Sequence, residues 1–397
     1  MDQIDELLTK GVDKIYPNKE EFEKLLRSGK KIRLYQGFDP SMPNLHLGNF
    51  VGLMKLKQFQ DLGHEVIFLV GDFTGMIGDP TDKSAVRKQL TRKQVLENAK
   101  NWHQQAGKIL NFEGKNPAKI MFNSQWGDKV SFKDLIEITS NFTVQQMLER
   151  DFFQERLKTN KPIYLHEFLY PVAQAIDCVE MNVDLEIGGS DQTFNMLCGR
   201  TLMKALKGKE KFVLTTKLLV DGQGLKVGKT TGNALFLNQK PEEMFGSVMS
   251  FPDEVMILSF ELLTNYTTEQ INRLNSDFKS GKIAPIDLKK LLATEIVTLI
   301  HSEKKALAAQ TNFETVVQNR GLPIEAHEFQ IPTGKISLVD LLFESNCVSS
   351  KSEAKRLLVQ KAIEINGQTI IEFEPLEIKD GSIIKIGKHQ YLKVITK

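Results

Sequence analysis

The chain has 397 residues, enough for two or three domains, with 41% hydrophobic residues, 26% charged residues and a formal net charge of +2. That composition is ordinary for a soluble globular protein, its apolar runs fall short of the ~20 residues a membrane span needs, and any basic surface must be local. Three cysteines (Cys178, Cys198 and Cys347) with no CxxC pair exclude a disulfide framework and lead us to expect a reducing cytoplasm.

The start, MDQIDELLTKGVDKIYP, is acidic and amphipathic, unlike a secretory signal or an Arg-rich transit peptide. From about residue 31 to 220, apolar runs at 32–35, 66–70, 120–122 and 183–187 alternate with helical patterns. Continuous apolar strands separated by helices predict a parallel sheet covered on both faces. Three of the runs end in GFDP, GDFTGMIGDP and GGSDQ. Ligands of open α/β sheets bind at such carboxyl ends. A strand-like LLV follows at 218–220. Residues 123–166 read as a mostly helical insertion, and after Pro241 the pattern is all-helical. NRGLPIEAHEFQIPTGK, with two prolines and two glycines, reads as a linker. From Ile336 two short helical patterns precede AIEINGQTI, an apolar run with an Asn366-Gly367 turn.

Several stretches carry chemistry. VGKT at 227–230 is not a P-loop, because the position needing glycine is Gln223, and no GxGxxG is present. In HLGN, His46 and Asn49 lie three apart at an expected helix start, where open N–H groups suit a phosphate. Gly48 between them leaves room for a flat ring. Taken alone, the segment is equally explained by Asn44 or Asn49 capping the helix and His46 lying on the surface. DGQGLKVGKTTGN places Lys226 and Lys229 in a glycine-rich loop, where lysines neutralise phosphate or simply meet solvent. Tyr170, Gln174 and Asp177 form a polar stripe on an otherwise apolar helix, which needs partners or a ligand. Ser350-Lys351-Ser352-Glu353 fits a capping box, with Lys351, Lys355 and Arg356 on one side of the helix and Ala354, Leu357 and Leu358 inward.

These motifs carry a resemblance. FDP…HLGN is similar to the HIGH signature of class I aminoacyl-tRNA synthetases, and KVGKT to their KMSKS loop. LYQGFDP, TGMIGDP, the Tyr170/Gln174/Asp177 stripe and IGGSDQ, in this order, resemble bacterial-type tyrosyl enzymes over nearly the whole chain. The resemblance implies a Rossmann-like parallel-sheet α/β catalytic domain at 1–220, with the 123–166 insertion as dimer interface. A KMSKS-type loop and helical anticodon-binding domain at 221–320, a linker at 321–335 and a small α+β S4-like RNA-binding domain at 336–397 would follow. It implies tyrosine activation by ATP, with Mg2+ accompanying the nucleotide and no protein-bound metal, then transfer to tRNA(Tyr) by a homodimer without a membrane partner.

By position, Tyr35 and Asp177 would bind the phenol hydroxyl, and Asp79, Tyr170 and Gln174 the ammonium, with Gln192 alongside. Gly37, Asp39, His46, Gly48, Asn49, Gly189, Asp191 and Lys229 would line the ATP site. Lys226, Lys229 and Thr230 would act with His46 and Asn49 on the departing pyrophosphate, and Lys351, Lys355 and Arg356 would meet RNA. Two departures stand out: Val227 in the Phe or Met place of the loop, and Gln36 where a small residue is common. A tryptophanyl synthetase, a non-catalytic RNA-binding paralogue and another nucleotidyl transferase are the competing readings.

Overall fold

The continuous apolar runs become four adjacent strands of a six-stranded sheet, reaching one of its edges. Its strands are β1 (Val12–Tyr16), β2 (Arg33–Phe38), β3 (Glu65–Val70), β4 (Lys119–Phe122), β5 (Leu185–Gly189) and β6 (Phe212–Thr216), in the order β1-β6-β5-β2-β3-β4. All neighbours are parallel except β1, which runs antiparallel to β6. The computed structural model describes residues 2–81, 89–221, 226–227, 235–315, 327–332, 334–371, 373–387 and 390–396. Contacts group 1–307 into one compact unit and 308–397 into a second.

Four strands lie where apolar runs predict them; β1 and β6, side by side at the other end of the sheet, differ. The expected LLV strand contributes only a single bridge, Val220 to Lys226, and the strand forms earlier, at the fully buried FVLTT of β6. In β1 the sequence VDKIY interrupts its apolar residues with Asp13 and Lys14, so this edge strand shows no continuous run.

Helix Leu47–Asp61 covers one face and buries residues nearly all round, including Phe50, Leu53, Leu56 and Phe59. Helices Leu165–Met181 and Thr193–Lys207 share a buried cluster of Val172, Ala175, Ile176, Val179, Cys198 and Leu202. The insertion is helical as expected, with Ser124–Gly127, Phe132–Thr139, Val144–Leu148 and Asp151–Lys158. After Pro241 come Pro241–Met249, Met256–Leu263, Thr268–Lys279, Pro285–Ile300 and Glu303–Phe313. They belong largely to the first unit: Lys10 Nζ donates to the Thr264 carbonyl (2.6 Å) and Lys217 pairs with Glu261 (2.7 Å).

The second unit is strand-rich. Its strands are β7 (His327–Ile331), β8 (Lys335–Ile336), β9 (Ile363–Ile365), β10 (Gln368–Thr369), β11 (Leu376–Glu377), β12 (Ile383–Ile386) and β13 (Gln390–Thr396). Five form a sheet, β10-β9-β12-β13-β7, and helices Leu338–Glu344 and Lys351–Val359 share its core of Leu338, Leu342, Ala354, Leu358, Ile384 and Leu392. Asn366 and Gly367, both at positive φ, make the two-residue turn between β9 and β10. Part of the segment read as linker is β7, whose Phe329 and Ile331, two residues apart, reach that core. Ser350 caps its helix as expected, but Glu353 reaches back to the N–H of Ser349 (2.8 Å) rather than of Ser350, so the capping box is not closed. Among the described residues no helix is long and apolar enough to cross a membrane.

Candidate active site

Chain connections diverge on either side of β5 and β2, and a crevice opens beyond their carboxyl ends, where such sheets bind ligands. There GFDP, the residues after β3 and the GGSDQ turn surround a cavity of about 290 Å³. It is lined by Tyr35, Gly37, Asp39, His46, Gly48, Asn49, Asp79, Tyr170, Gln174, Asp177, Gly189, Asp191, Gln192 and Lys226. Every expected pocket residue within the described chain is thus in one place; Lys229 and Thr230 lie outside the described residues.

The helix start is capped by neither asparagine the sequence suggested. His46 is the cap: its Nδ1 accepts the Gly48 N–H (3.0 Å), while Asn49 Oδ1 accepts the His46 N–H (2.9 Å). Asn49, with its carbonyl oxygen engaged in this way, lines the cavity with an NH2 donor still to place. A Cβ on Gly48 would stand 3.0 Å from His46 Cε1, so glycine is what lets the imidazole fold back over the first turn. Leu47 N–H donates to the Leu235 carbonyl (3.0 Å) and Leu237 N–H to that of Leu45 (2.9 Å), lacing HLGN to the chain that follows the KVGKT stretch. On the other flank, Val227 N–H bonds the Leu219 carbonyl (3.0 Å) and Lys226 Nζ pairs with Asp191 (2.7 Å). The proline loop before the helix is braced by residues the sequence did not single out. Asn98 donates to the Pro40 carbonyl (2.8 Å), and Trp102 and Gln105 to that of Pro43 (3.2 and 3.1 Å).

At the inner end, the polar stripe separates into three attachments. Tyr170 donates its hydroxyl proton to Asp39 (2.8 Å), whose other oxygen accepts from Thr74 (2.6 Å). Asp177 accepts from the Trp126 indole (2.7 Å) and the Asn123 amide (3.2 Å). Burial pushes its carboxyl well above the usual carboxylate range, against the pull of those two donors. Gln174 donates to Glu186 (2.9 Å). Tyr35 is fully buried and gives its proton to the same carboxylate (2.6 Å); burial, then Cys178 and Glu186, raises its hydroxyl far above the usual range. The sequence left open whether Tyr35 would donate or accept at a ligand hydroxyl; in the structure its proton lies on Glu186 within the sheet. Asp79 accepts from Gln192 (2.6 Å) and Thr81 (2.5 Å), with Arg150 3.8 Å away.

Sequence reasoning missed Glu186, Lys211, Asn123 and Trp126. Glu186 left one trace, a charge between the two apolar residues of LEI in a run that otherwise reads as a buried strand. In the second unit, Lys351, Lys355 and Arg356 are all exposed; Lys351 pairs with Asp340 (2.6 Å) and Arg356 lies 3.8 Å from Glu353.

Residues 27–318 match the family model of class I tRNA synthetases (W and Y). The chain is 42% identical to a tyrosine–tRNA ligase of Carboxydothermus hydrogenoformans over 403 aligned residues, covering 98% of this chain and 97% of that one. It is 39% identical to tyrosine–tRNA ligase 2 of Clostridium acetobutylicum, with both chains covered completely. Among solved structures, the C-terminally truncated mitochondrial tyrosyl-tRNA synthetase of Coccidioides posadasii shares the fold (TM-score 0.64, 24% identity, 78% of this chain and 91% of that one). The Archaeoglobus fulgidus tyrosyl-tRNA synthetase complexed with L-tyrosine does so with a TM-score of 0.60 at 21% identity, covering 77% and 98%.

Proposed function

Because the chain belongs to the class I tRNA synthetases of the W and Y family, we propose that it is a tyrosine–tRNA ligase: it joins tyrosine to ATP as tyrosyl-adenylate, releasing pyrophosphate, then transfers tyrosine to the 3′ end of tRNA(Tyr). The observation that carries this reading is the cavity that gathers HLGN, Lys226 and Val227 of KVGKT, and the Tyr170/Gln174/Asp177 face.

The arrangement suits the chemistry. An ammonium has three donors, and the cavity offers three acceptors: the Asp79 carboxylate, the oxygen of Tyr170, whose proton is given to Asp39, and the carbonyl of Gln174. Asp177 takes the phenol proton, with Gln192 beside the amino acid. The substrate carboxylate attacks the α-phosphorus and pyrophosphate leaves, so the protein supplies positioning and charge rather than a nucleophile. His46 with its proton on Nε2, the Asn49 NH2 and Lys226, with Lys229 and Thr230 of the same loop, act on the phosphates. Asp191, Asp39, Gly37, Gly48 and Gly189 border the nucleotide, which brings Mg2+ with it. Lys351, Lys355 and Arg356 meet tRNA.

The same reading makes the protein a cytoplasmic homodimer joined through residues 123–166. That segment leaves Phe132 79%, Ile136 56%, Val144 66% and Leu165 83% exposed close to the site, an apolar surface that favours a second copy. ATP–pyrophosphate exchange dependent on tyrosine, and absent with tryptophan, is expected. Exchange with tryptophan instead, or with neither amino acid, would overturn the reading.

A further inference from the structure

Beneath the inner end of the cavity lies an ion pair with no assigned role. Glu186 on β5 is 1% exposed, and Lys211, one residue before β6, is completely buried. Such a pair is often no more stable than apolar residues of equal volume, so stability alone does not account for a carboxylate in a central strand. Its connections do. Lys211 Nζ donates to Glu186 Oε2, to the Met196 carbonyl (3.0 Å) and to Cys178 Sγ (3.1 Å), which uses its three protons. Cys178 Sγ also lies 3.2 Å from Glu186 Oε2 and 3.1 Å from Tyr35 Oη. The other oxygen, Oε1, accepts from Tyr35 Oη (2.6 Å) and from Gln174 Nε2 (2.9 Å).

The fold builds this arrangement at two points. Tyr35 and Glu186 are register partners in the β2–β5 pair, so their side chains share one face of the sheet. A Cβ on Gly199 would stand 2.5 Å from Cys178 Sγ and 2.7 Å from Lys211 Nζ, so the glycine admits the lysine beneath its helix.

We propose that Glu186, held by Lys211, is a positioning residue that sets the hydrogen-bond sense of the amino-acid subsite. The inference rests on the reading of this cavity end as that subsite. A tyrosine hydroxyl has one proton, and Tyr35 spends it on Glu186, which fixes the ring at the inner wall of the cavity. A glutamine amide has two ends; with Nε2 on Glu186, the carbonyl is the end left for the cavity, where it suits an ammonium. One buried carboxylate therefore anchors two cavity-lining residues from different elements and leaves Gln174 facing the cavity as an acceptor, which favours a ligand presenting an ammonium there.

The test compares two double variants, neither of which leaves a lone charge in the sheet. Glu186→Gln with Lys211→Met keeps an oxygen acceptor and removes both charges; Glu186→Leu with Lys211→Met removes the acceptor as well. In pyrophosphate exchange the Gln/Met protein should keep a tyrosine KM within about twofold of the unmodified protein, while the Leu/Met protein raises it by about tenfold or more with kcat far less changed. An unchanged KM in the Leu/Met protein would overturn the proposal, as would equal defects in both variants. Asp79→Ala separates the two levels. If it leaves the tyrosine KM unchanged, the subsite reading itself fails; if it raises KM while the Leu/Met protein does not, only the role of Glu186 is lost.

Discussion

Replacing Asp177 by alanine probes the centre of the proposed specificity. The carboxylate accepts from the Trp126 indole at 2.7 Å and from Asn123 at 3.2 Å. Asn123 keeps a second partner in Thr74 (3.0 Å), so the indole N–H is the buried donor left stranded. That costs about 1–3 kcal/mol, and removing a carboxylate that burial already disfavours returns part of it. The folded protein should therefore survive, with a modest loss in denaturant midpoint. Activity should suffer more selectively. A hydrogen bond to a charged group contributes about 1.5–3 kcal/mol, so kcat/KM for tyrosine should fall by about 10- to 150-fold. Phenylalanine has no hydroxyl to lose, and in the intact site it strands the same carboxylate, so its efficiency should hold or rise. Hydroxyl-binding sites reject the analogue lacking the group by about 10⁴–10⁵, a figure established on tyrosine-specific synthetases as a class and taken over here rather than worked out. Asp177→Ala should remove about two orders of magnitude of it. Pyrophosphate exchange with each amino acid over a range of concentrations measures the ratio directly. An unchanged tyrosine-to-phenylalanine ratio would refute the assignment of the ring-binding end.

Three further outcomes are expected. Burial pulls the Lys55 ammonium down to about 7 and that of Lys10 down to about 8. Between those values and the ordinary 10.5 the unfolded chain holds more protons than the folded one, so stability should rise with pH. Between pH 7 and 8.5, urea unfolding should show a gain of about 1 kcal/mol per pH unit from Lys55, and Lys55→Met should remove it. Above that window Cys178 and Cys198, whose thiols burial raises, oppose the lysines and flatten the slope. Asn49→Asp keeps the oxygen that caps His46 but replaces the donor with a negative charge; thermal unfolding should stay near that of the unmodified protein while the KM for ATP rises about tenfold or more, and an unchanged KM would remove Asn49 from the phosphate site. Ending the chain at residue 315 removes β7 together with its sheet partner β13; tyrosine-dependent exchange should persist and tRNA charging should fail, whereas full charging would refute an RNA role for the second unit.

The parts of the fold legible in the sequence are those whose physics is local. Strands β2, β3 and β5 stand out because a strand covered on both faces is apolar at successive positions, and they end in glycine and aspartate where backbone must approach a ligand; β4, half-buried at the sheet edge, shows only a short apolar run. Strand β7 was hidden in a proline-flanked segment because its evidence is only Phe329 and Ile331, two residues apart, and a partner more than sixty residues away. The helix cap was misread for a similar reason. Asparagine is the better cap by propensity, and only the approach of 235–237 to 45–47 fixes the turn so that His46 begins the helix.

The site divides along the same line. Residues that face the cavity were legible because they are polar where the local pattern demands apolar side chains, as Tyr170, Gln174 and Asp177 are along one helix. What orients them was not, because each depends on a pairing that crosses the sheet: Tyr170 with Asp39, Asp177 with Trp126, and Gln174 with Glu186. In every one of these pairs the cavity-facing group has either given away its proton or filled part of its acceptor capacity before any ligand arrives. A sequence can announce that a tyrosine belongs to a pocket, but whether that tyrosine donates or accepts is decided by its neighbour on another element. The stripe names the ligand-facing residues, and Asp39, Trp126 and Glu186 decide what those residues ask of the ligand.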